Sequence, residues 1–275
     1  MNIKELEIQA VRTRRDIIQM IYKGKTGHTG GSLSSADIMT ALYYEVLNVD
    51  PADPRKPDRD YFVLSKGHSV EGYLAVLAGR GFFPREELET YSRFGSRLIG
   101  HPSNKVPGVE MNTGALGHGL PVAVGMALGL KRQGKANKVY VLMGDGEQAE
   151  GSVWEGLMSG ANYKLDNLTA ILDRNHLQIS GNTEDVMALD SISAKYAAFN
   201  WKTVRIDGND MRQIVAALRL PHPGQPMIII ADTIKGKGVR EMENKAKWHH
   251  GVPDEALYLS AMAQFDEKEK ELLNE

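Results

Sequence analysis

The sequence feature richest in chemistry is Gly144-Asp145-Gly146, which directly follows the apolar run Val139–Met143 and is answered, beyond residues 147–174, by Asn175. That interval holds a helix and a returning strand, so the crossover predicts Asp145 and Asn175 side by side at one sheet edge. Glycines flanking the carboxylate let the backbone turn sharply and let a bulky anion approach. One carboxylate and one amide oxygen make a hard, oxygen-only ligand set. Mg²⁺ typically takes one or two carboxylates and fills its remaining positions with phosphate oxygens and water. The predicted chemistry is a divalent metal bridging the protein to a phosphorylated ligand. A Gly-Asp-Gly turn with a capping Asn explains the same residues without a ligand, and a metal-dependent phosphohydrolase built on Asp145 and Asp173 is a further reading. Histidines 28, 68, 101, 249 and 250 lie in short loops rich in glycine or proline. Taken singly, such a histidine is ordinarily a surface or hydrogen-bonded residue. Lys235-Gly236-Lys237-Gly238 is either a phosphate contact or a mobile basic loop.

The elements that must carry these residues are legible from periodicity. Continuous apolar runs at Tyr61–Leu64, Val139–Met143, Leu168–Leu172 and Met227–Ala231 predict strands covered on both faces, and Lys202–Ile206 is a weaker one. Several of these end at an aspartate: Asp145, Asp173, Asp207 and Asp232. Helical patterns separate them at Leu120–Leu130, Trp154–Tyr163 and Met211–Leu218. The alternation predicts an α/β fold, a doubly wound and mostly parallel sheet with helices on both faces, whose ligands sit beyond the carboxyl ends of the strands. The opening segment places Ile3, Leu6, Ala10, Ile17 and Ile21 on one helical face, interrupted by Arg14. Ser34-Ser35-Ala36-Asp37 reads as a capping box for a helix through Ile38, Leu42 and Val46. Residues 24–32 are too glycine-rich for either regular element, Gly125 and Gly129 are expected to permit close packing, and the charged last twenty residues to form a solvated helical tail.

The 275 residues, 42% apolar and 25% charged, have the composition of an ordinary globular protein and carry no linker or repeat, so a single domain over 1–275 is expected. Thirty-three Lys and Arg against 35 Asp and Glu leave a net charge of −2, which offers nucleic acid no basic field. The absence of cysteine excludes disulfides, zinc–thiolate sites, iron–sulfur clusters and a cysteine nucleophile. The N-terminus lacks the apolar core of a signal peptide and no apolar stretch is long enough to span a bilayer, so a cytoplasmic protein without membrane contact is expected.

The Gly144-Asp145-Gly146…Asn175 pattern resembles the motif by which thiamine-diphosphate enzymes hold Mg²⁺ and the cofactor's diphosphate. Gly27-His28-Thr29-Gly30-Gly31, Leu64-Ser65-Lys66-Gly67-His68-Ser69, Gly100-His101-Pro102 and Thr113-Gly114-Ala115-Leu116-Gly117-His118-Gly119 precede it in the order found in transketolases. The resemblance runs from about residue 10 to 255. It implies a thiamine-diphosphate-binding fold of the diphosphate type. By resemblance, Asp145, Asn175 and the Leu177 carbonyl would ligate Mg²⁺ (or Mn²⁺ or Ca²⁺), and Gly146 would leave room for the diphosphate. His68 would contact that diphosphate, and Gly114 and Leu116 would lie against the cofactor. Glu150 would touch the activating glutamate of a partner, unless it merely favours the N-terminus of the next helix. His28 and His101 would face the ketose, donating to hydroxyls and moving protons near neutral pH. His250 is slightly favoured over His249 as their companion. Thr29 stands where proline is frequent, and His118 where glutamine is.

A complete transketolase is about twice this length, and its second part supplies the pyrimidine-binding domain and a glutamate that activates the cofactor ring. The resemblance therefore implies the N-terminal subunit of a split enzyme that transfers a two-carbon ketol unit from a ketose, phosphorylated or specialised such as a sulfo-sugar, to an aldose. It would be active only with a C-terminal subunit, in a heterotetramer of two copies of each. Other readings are half of a deoxyxylulose-phosphate synthase-like or dehydrogenase E1-like enzyme, or a non-catalytic regulatory subunit with the cofactor fold.

Overall fold

Five parallel strands form the centre of the structure, a computed structural model that describes residues 1–274. They are β1 (Tyr61–Leu64), β2 (Val139–Gly144), β3 (Leu168–Arg174), β4 (Lys202–Asp207) and β5 (Met227–Asp232), ordered β1-β2-β3-β5-β4 across the sheet. Every apolar run predicted as a strand is one. The helices are α1 (Ile3–Gly24), α2 (Thr29–Ser34), α3 (Ala36–Ala41), α4 (Val70–Arg80), α5 (Gly119–Arg132), α6 (Gly151–Asn162), α7 (Thr183–Val186), α8 (Ile192–Ala198), α9 (Met211–Leu218) and α10 (Glu255–Asn274). Because strand side chains alternate between faces, Leu64, Tyr140, Leu142, Ile171 and Ile229 pack under α1, α3, α4, α9 and α10. Val63, Val141, Met143, Leu172 and Ile230 pack under α5, α6 and α8 on the opposite face. The sheet is thus doubly wound, as expected. No helix among the described residues is long and apolar enough to cross a membrane.

Several local expectations fail for identifiable reasons. Arg14 does not merely interrupt the α1 stripe; its buried guanidinium pairs bidentately with buried Asp37 at 2.8 and 2.6 Å, which pins α1 to α3. With Asp37 so committed there is no capping box. The Ser35 hydroxyl donates to the Gly31 carbonyl at 2.9 Å, and the Ser34 hydroxyl lies 3.0 Å from the same oxygen. Past Ala41 the helix widens into a π-turn over Leu42–Val46. The glycine-rich 24–32 stretch contains the start of α2. Its glycines serve close approach instead of breaking the helix: a Cβ on Gly30 would lie 2.8 Å from the Trp248 carbonyl, and one on Gly31 would lie 2.6 Å from the Ser69 hydroxyl. The α5 glycines have the opposite outcome, since a Cβ on Gly125 or Gly129 would meet nothing within 4 Å. The close contact comes from α6, where Gly156 abuts Leu120. Finally, α10 is docked, not solvated. Ala261, Phe265 and Leu272 are buried, while Arg15 and Arg12 of α1 bind Asp266 and Glu269 at 2.6 and 2.8 Å.

Candidate active site

Beyond the carboxyl ends of β2 and β3, whose register sets Gly144 beside Asp173, two turns meet. Asp145 is buried, and its Oδ2 accepts the His176 N–H at 2.6 Å and the Thr183 hydroxyl at 3.4 Å. Its Oδ1 is also buried yet has no hydrogen-bond partner. Burial, only partly offset by Arg174 at 3.1 Å, pushes the Asp145 pKa up to about 7. The fold therefore holds an under-compensated carboxylate, an arrangement that calls for a missing counter-charge. Asn175, also buried, accepts the Leu177 N–H on Oδ1 at 3.2 Å, and the Leu177 carbonyl faces Lys235 Nζ at 3.4 Å.

Gly146 follows Asp145 immediately. A Cβ there would meet only the Gln178 side chain, at an ordinary 3.6 Å, so internal packing does not demand glycine. Gln178 Nε2 is a second buried polar atom without a partner. An orphaned acceptor and an orphaned donor at one turn suit a cation together with its anionic ligand. The residues present therefore fit a divalent metal and a phosphorylated group. Gln178 is absent from the sequence-derived set; its only signal there is its place next to Leu177.

Asp173 has a different fate. Fully buried, it takes Lys66, the Ser34 hydroxyl at 2.7 Å, the Thr233 hydroxyl and Asn175 Nδ2 at 3.2 Å. Burial alone would raise its pKa, but Lys66 and these donors hold it below the usual carboxylate range. Its oxygens are saturated, which removes the phosphohydrolase reading that paired it with Asp145. Among the described residues no three His, Asp or Glu side chains are grouped to hold a metal.

The other four candidate histidines gather around His28. Its ring centroid lies 5.2 Å from His68, 6.3 Å from His101, 5.6 Å from His249 and 4.7 Å from His250. His249 and His250 thus both reach the cluster, by different sides. His249 stacks on His68 at 5.2 Å and meets Lys235 Nζ at 3.1 Å through Nδ1, whereas exposed His250 shares a 3.3 Å contact with the Thr26 hydroxyl. Thr29 helps seat this loop by donating to the Gly251 carbonyl at 2.5 Å, and Gly251 N–H donates to the Gly27 carbonyl at 3.1 Å. Gly114, at φ +141°, leaves room for His101, whose Cδ2 would lie 2.7 Å from a Cβ there. Gly117, at φ +80°, does the same for Glu150. Glu150 is exposed at the N-cap of α6 but makes no capping bond, and half-buried Leu116 accepts His118 Nδ1–H on its carbonyl at 3.1 Å.

Burial, reinforced by neighbouring histidines and Lys235, lowers His28 to about 4. Burial with Lys235 lowers His249 to about 3, and burial with Lys66 lowers His68 as well. Burial also brings Lys235 down to about 8. His28, His68 and His249 are therefore neutral imidazoles near pH 7, able to accept as well as donate a proton. Between 4 and the ordinary 6.5 the unfolded chain binds more protons at position 28 than the folded one, so this residue's contribution falls as the solution is acidified. We expect His28→Asn to gain stability relative to the parent as pH drops from about 7 to about 5, measured by urea unfolding. A difference that stays constant over that range would contradict the assignment.

Three buried groups that sequence reasoning missed hold the site together. Lys66 Nζ spans from Asp173 to the Gly31 carbonyl at 2.8 Å. Glu147 accepts the Ser65 hydroxyl, the Gly117 N–H at 2.9 Å and the Gly144 N–H at 3.1 Å, which ties the ends of β1 and β2 to the 113–117 turn. Glu71 accepts the His28 N–H at 3.0 Å. Lys66 and Glu147 lie inside or beside the glycine-rich motifs; Glu71, on α4, carries no local signal.

Comparison with known proteins places this geometry. Residues 4–264 match the family described as transketolase, thiamine diphosphate binding domain. An apulose-4-phosphate transketolase subunit of Phocaeicola vulgatus is 47% identical over 100% of this chain and 99% of its own length. The 6-deoxy-6-sulfo-D-fructose transketolase subunit SqwG of a Clostridium species is 38% identical over 96% and 97%, respectively. Among solved structures, transketolase from Campylobacter jejuni superposes with a TM-score of 0.86 at 29% identity, covering 100% of this chain and 48% of the other. The chain thus spans about half the length of that solved transketolase.

Proposed function

The chain belongs to the transketolase family, as a thiamine diphosphate-binding domain, and from that premise we propose that it is the N-terminal subunit of a two-chain transketolase. The observation that carries the reading is Asp145 Oδ1, buried without a partner beside Gly146 and Gln178 in the site that also gathers five histidines. The relatives named as subunits, similar over nearly their whole length, support a division of the enzyme between two chains.

In this reading Asp145, Asn175 and the Leu177 carbonyl hold Mg²⁺, or Mn²⁺ or Ca²⁺ in its place, and Gly146 gives the diphosphate room. Gln178 and His68 donate to the diphosphate oxygens, and Gly114 and Leu116 line the cofactor. Thiamine diphosphate, when bound, supplies the carbon nucleophile and electron sink for breaking and making the carbon–carbon bond. This chain's part is positional and protonic. His28, His101 and His250, with His249 beside Lys235, hold the hydroxyls of a ketose. Neutral at working pH, His28 and His249 can take a hydroxyl proton as the ketose is cleaved and return it to the oxygen of the aldose acceptor. Glu150, exposed next to the 113–117 turn, faces the partner, a C-terminal transketolase subunit carrying the pyrimidine-binding domain and its glutamate. Two copies of each chain form the assembly, in the cytoplasm. The substrates are a ketose donor and an aldose acceptor, and the named relatives direct attention to apulose 4-phosphate and 6-deoxy-6-sulfo-D-fructose.

Reconstitution tests the proposal. With thiamine diphosphate and magnesium present, neither this purified chain by itself nor its C-terminal partner by itself should transfer ketol units from apulose 4-phosphate, 6-deoxy-6-sulfofructose or fructose 6-phosphate. Mixing the two should restore transfer from at least one donor. Transfer by the single chain, at a rate the partner does not change, would refute the two-chain reading.

A further inference from the structure

Glu71 lies on the first turn of α4 and is completely buried, yet within the described residues no lysine, arginine or histidine side chain hydrogen-bonds or ion-pairs with it. A buried carboxylate is retained only when donors satisfy it. Here three do, each from a different segment. Oε1 accepts the His28 backbone N–H at 3.0 Å and the Tyr91 hydroxyl at 2.7 Å, while Oε2 accepts the Ser32 hydroxyl of α2 at 2.7 Å. Gly27 makes the first contact possible, because a Cβ there would lie 2.7 Å from Glu71 Oε1 and 2.5 Å from Ile21. Tyr91 is packed against the end of α1, where its ring edge would lie 2.8 Å from a Cβ on Gly24, four residues ahead of His28. The next residue, Ser92, donates its N–H to the Leu98 carbonyl at 2.8 Å, in the segment that leads to His101. One carboxylate and one phenol therefore join the His28 loop to the 91–98 turn that runs into His101.

We propose that Glu71 and Tyr91 are positioning residues that fix His28 relative to His101 and so set the proton-handling geometry of the site. The distances give this role its leverage. His28 is the hub of the cluster, with four imidazoles whose centroids lie between 4.7 and 6.3 Å away. It sits in the irregular residue ahead of α2, with no side-chain cap to hold it. Its backbone N–H is anchored by Glu71. Releasing it would displace a reacting group without removing it, a change that acts on turnover more than on binding.

The activity arm rests on the ketol-transfer reading; a spectroscopic arm does not. Tyr91→Phe deletes only the hydroxyl and keeps the packed ring. In the full chain it should shift the ring NMR signals of His28 while leaving those of His222, held on the far side by the Gln225 carbonyl at 2.9 Å, unmoved. In the reconstituted complex it should lower kcat about tenfold, with ketose KM and cofactor affinity changing less than about threefold. In a His28→Ala background Tyr91→Phe should cost nothing further, the signature of two residues acting as a unit. Glu71→Gln, which keeps an acceptor for the His28 N–H, should retain activity within about threefold, whereas Glu71→Leu should lose at least as much as Tyr91→Phe. If Glu71→Leu does not fold, Tyr91→Phe decides the matter. Unmoved His28 signals in Tyr91→Phe would overturn the proposal, as would an equal loss of kcat with and without His28. A complex with no ketol transfer in any form would count against the functional reading and leave the NMR arm to judge the positioning role.

Discussion

Asp145→Asn should weaken thiamine diphosphate binding by the reconstituted complex about 100-fold in magnesium, roughly 2.7 kcal/mol, and by little when the metal is chelated. The substitution leaves size and shape unchanged and removes only the charge. In the folded chain that charge is poorly supported: Oδ1 has no partner, and burial drives the carboxyl to about 7. The His176 N–H and Thr183 hydroxyl now on Oδ2 can be accepted equally by an amide oxygen. The variant should consequently melt no lower than the parent, since burial disfavours the charge that the amide lacks. Isothermal titration with and without magnesium, beside a thermal melt, checks both halves. Equal cofactor affinity in parent and variant would dismiss the metal assignment, and a large fall in melting temperature would mean that Asp145 serves the fold instead.

The second large effect concerns stability. Lys66→Met should cost about 3–5 kcal/mol, because it strands Asp173 as a buried charge without its counter-ion. Lys66 and Asp173 are almost wholly inaccessible, at 2% and 0% exposure, so solvent cannot substitute. The pH dependence has a definite sign. In the parent, Lys66 and the hydroxyl donors outweigh burial and hold Asp173 below its ordinary pKa. That contribution is present above the unfolded value and is lost only in acid as pH falls through the folded one. Without Lys66, burial is opposed less and raises the folded pKa, so the variant's deficit should be greatest at alkaline pH and shrink as protonation neutralises Asp173. Urea unfolding of both proteins across a pH series reads this out. A deficit below about 1 kcal/mol, the scale of an exposed pair, would show that the bridge is dispensable.

How far the sequence disclosed all this depends on whether a signal is local. Four strands announced themselves because strands covered on both faces are continuous apolar runs, while the edge strand β4, half-exposed along its length, gave a weaker signal. The carboxyl ends of β2 and β3 pointed to Asp145 and Asn175. The histidines were visible as residues in odd loops, but their convergence on His28 needed the fold. Buried ion pairs were illegible. Arg14 broke an otherwise clean apolar stripe and Asp37 imitated a helix cap, and only their contact across 23 positions explains either. Lys66 and Asp173 lie 107 positions apart, and Glu71 sits within the apolar run of α4 with nothing nearby to explain it. Short α7 and α8, between β3 and β4, carried no periodic pattern long enough to read. The glycines divided in the same way. Those of α2 and α5 looked alike in sequence, yet α2 is pressed against the 248–251 loop and the Ser69 hydroxyl while Gly125 and Gly129 face open space.

One diffraction measurement bears most directly on the account: crystals of the two-chain complex grown with thiamine diphosphate and manganese, recorded at the manganese absorption edge. The account predicts an anomalous peak in contact with Asp145, Asn175 and the Leu177 carbonyl, with the diphosphate against Gly146, Gln178 and His68. Ordered cofactor whose diphosphate and metal touch none of these residues would contradict it.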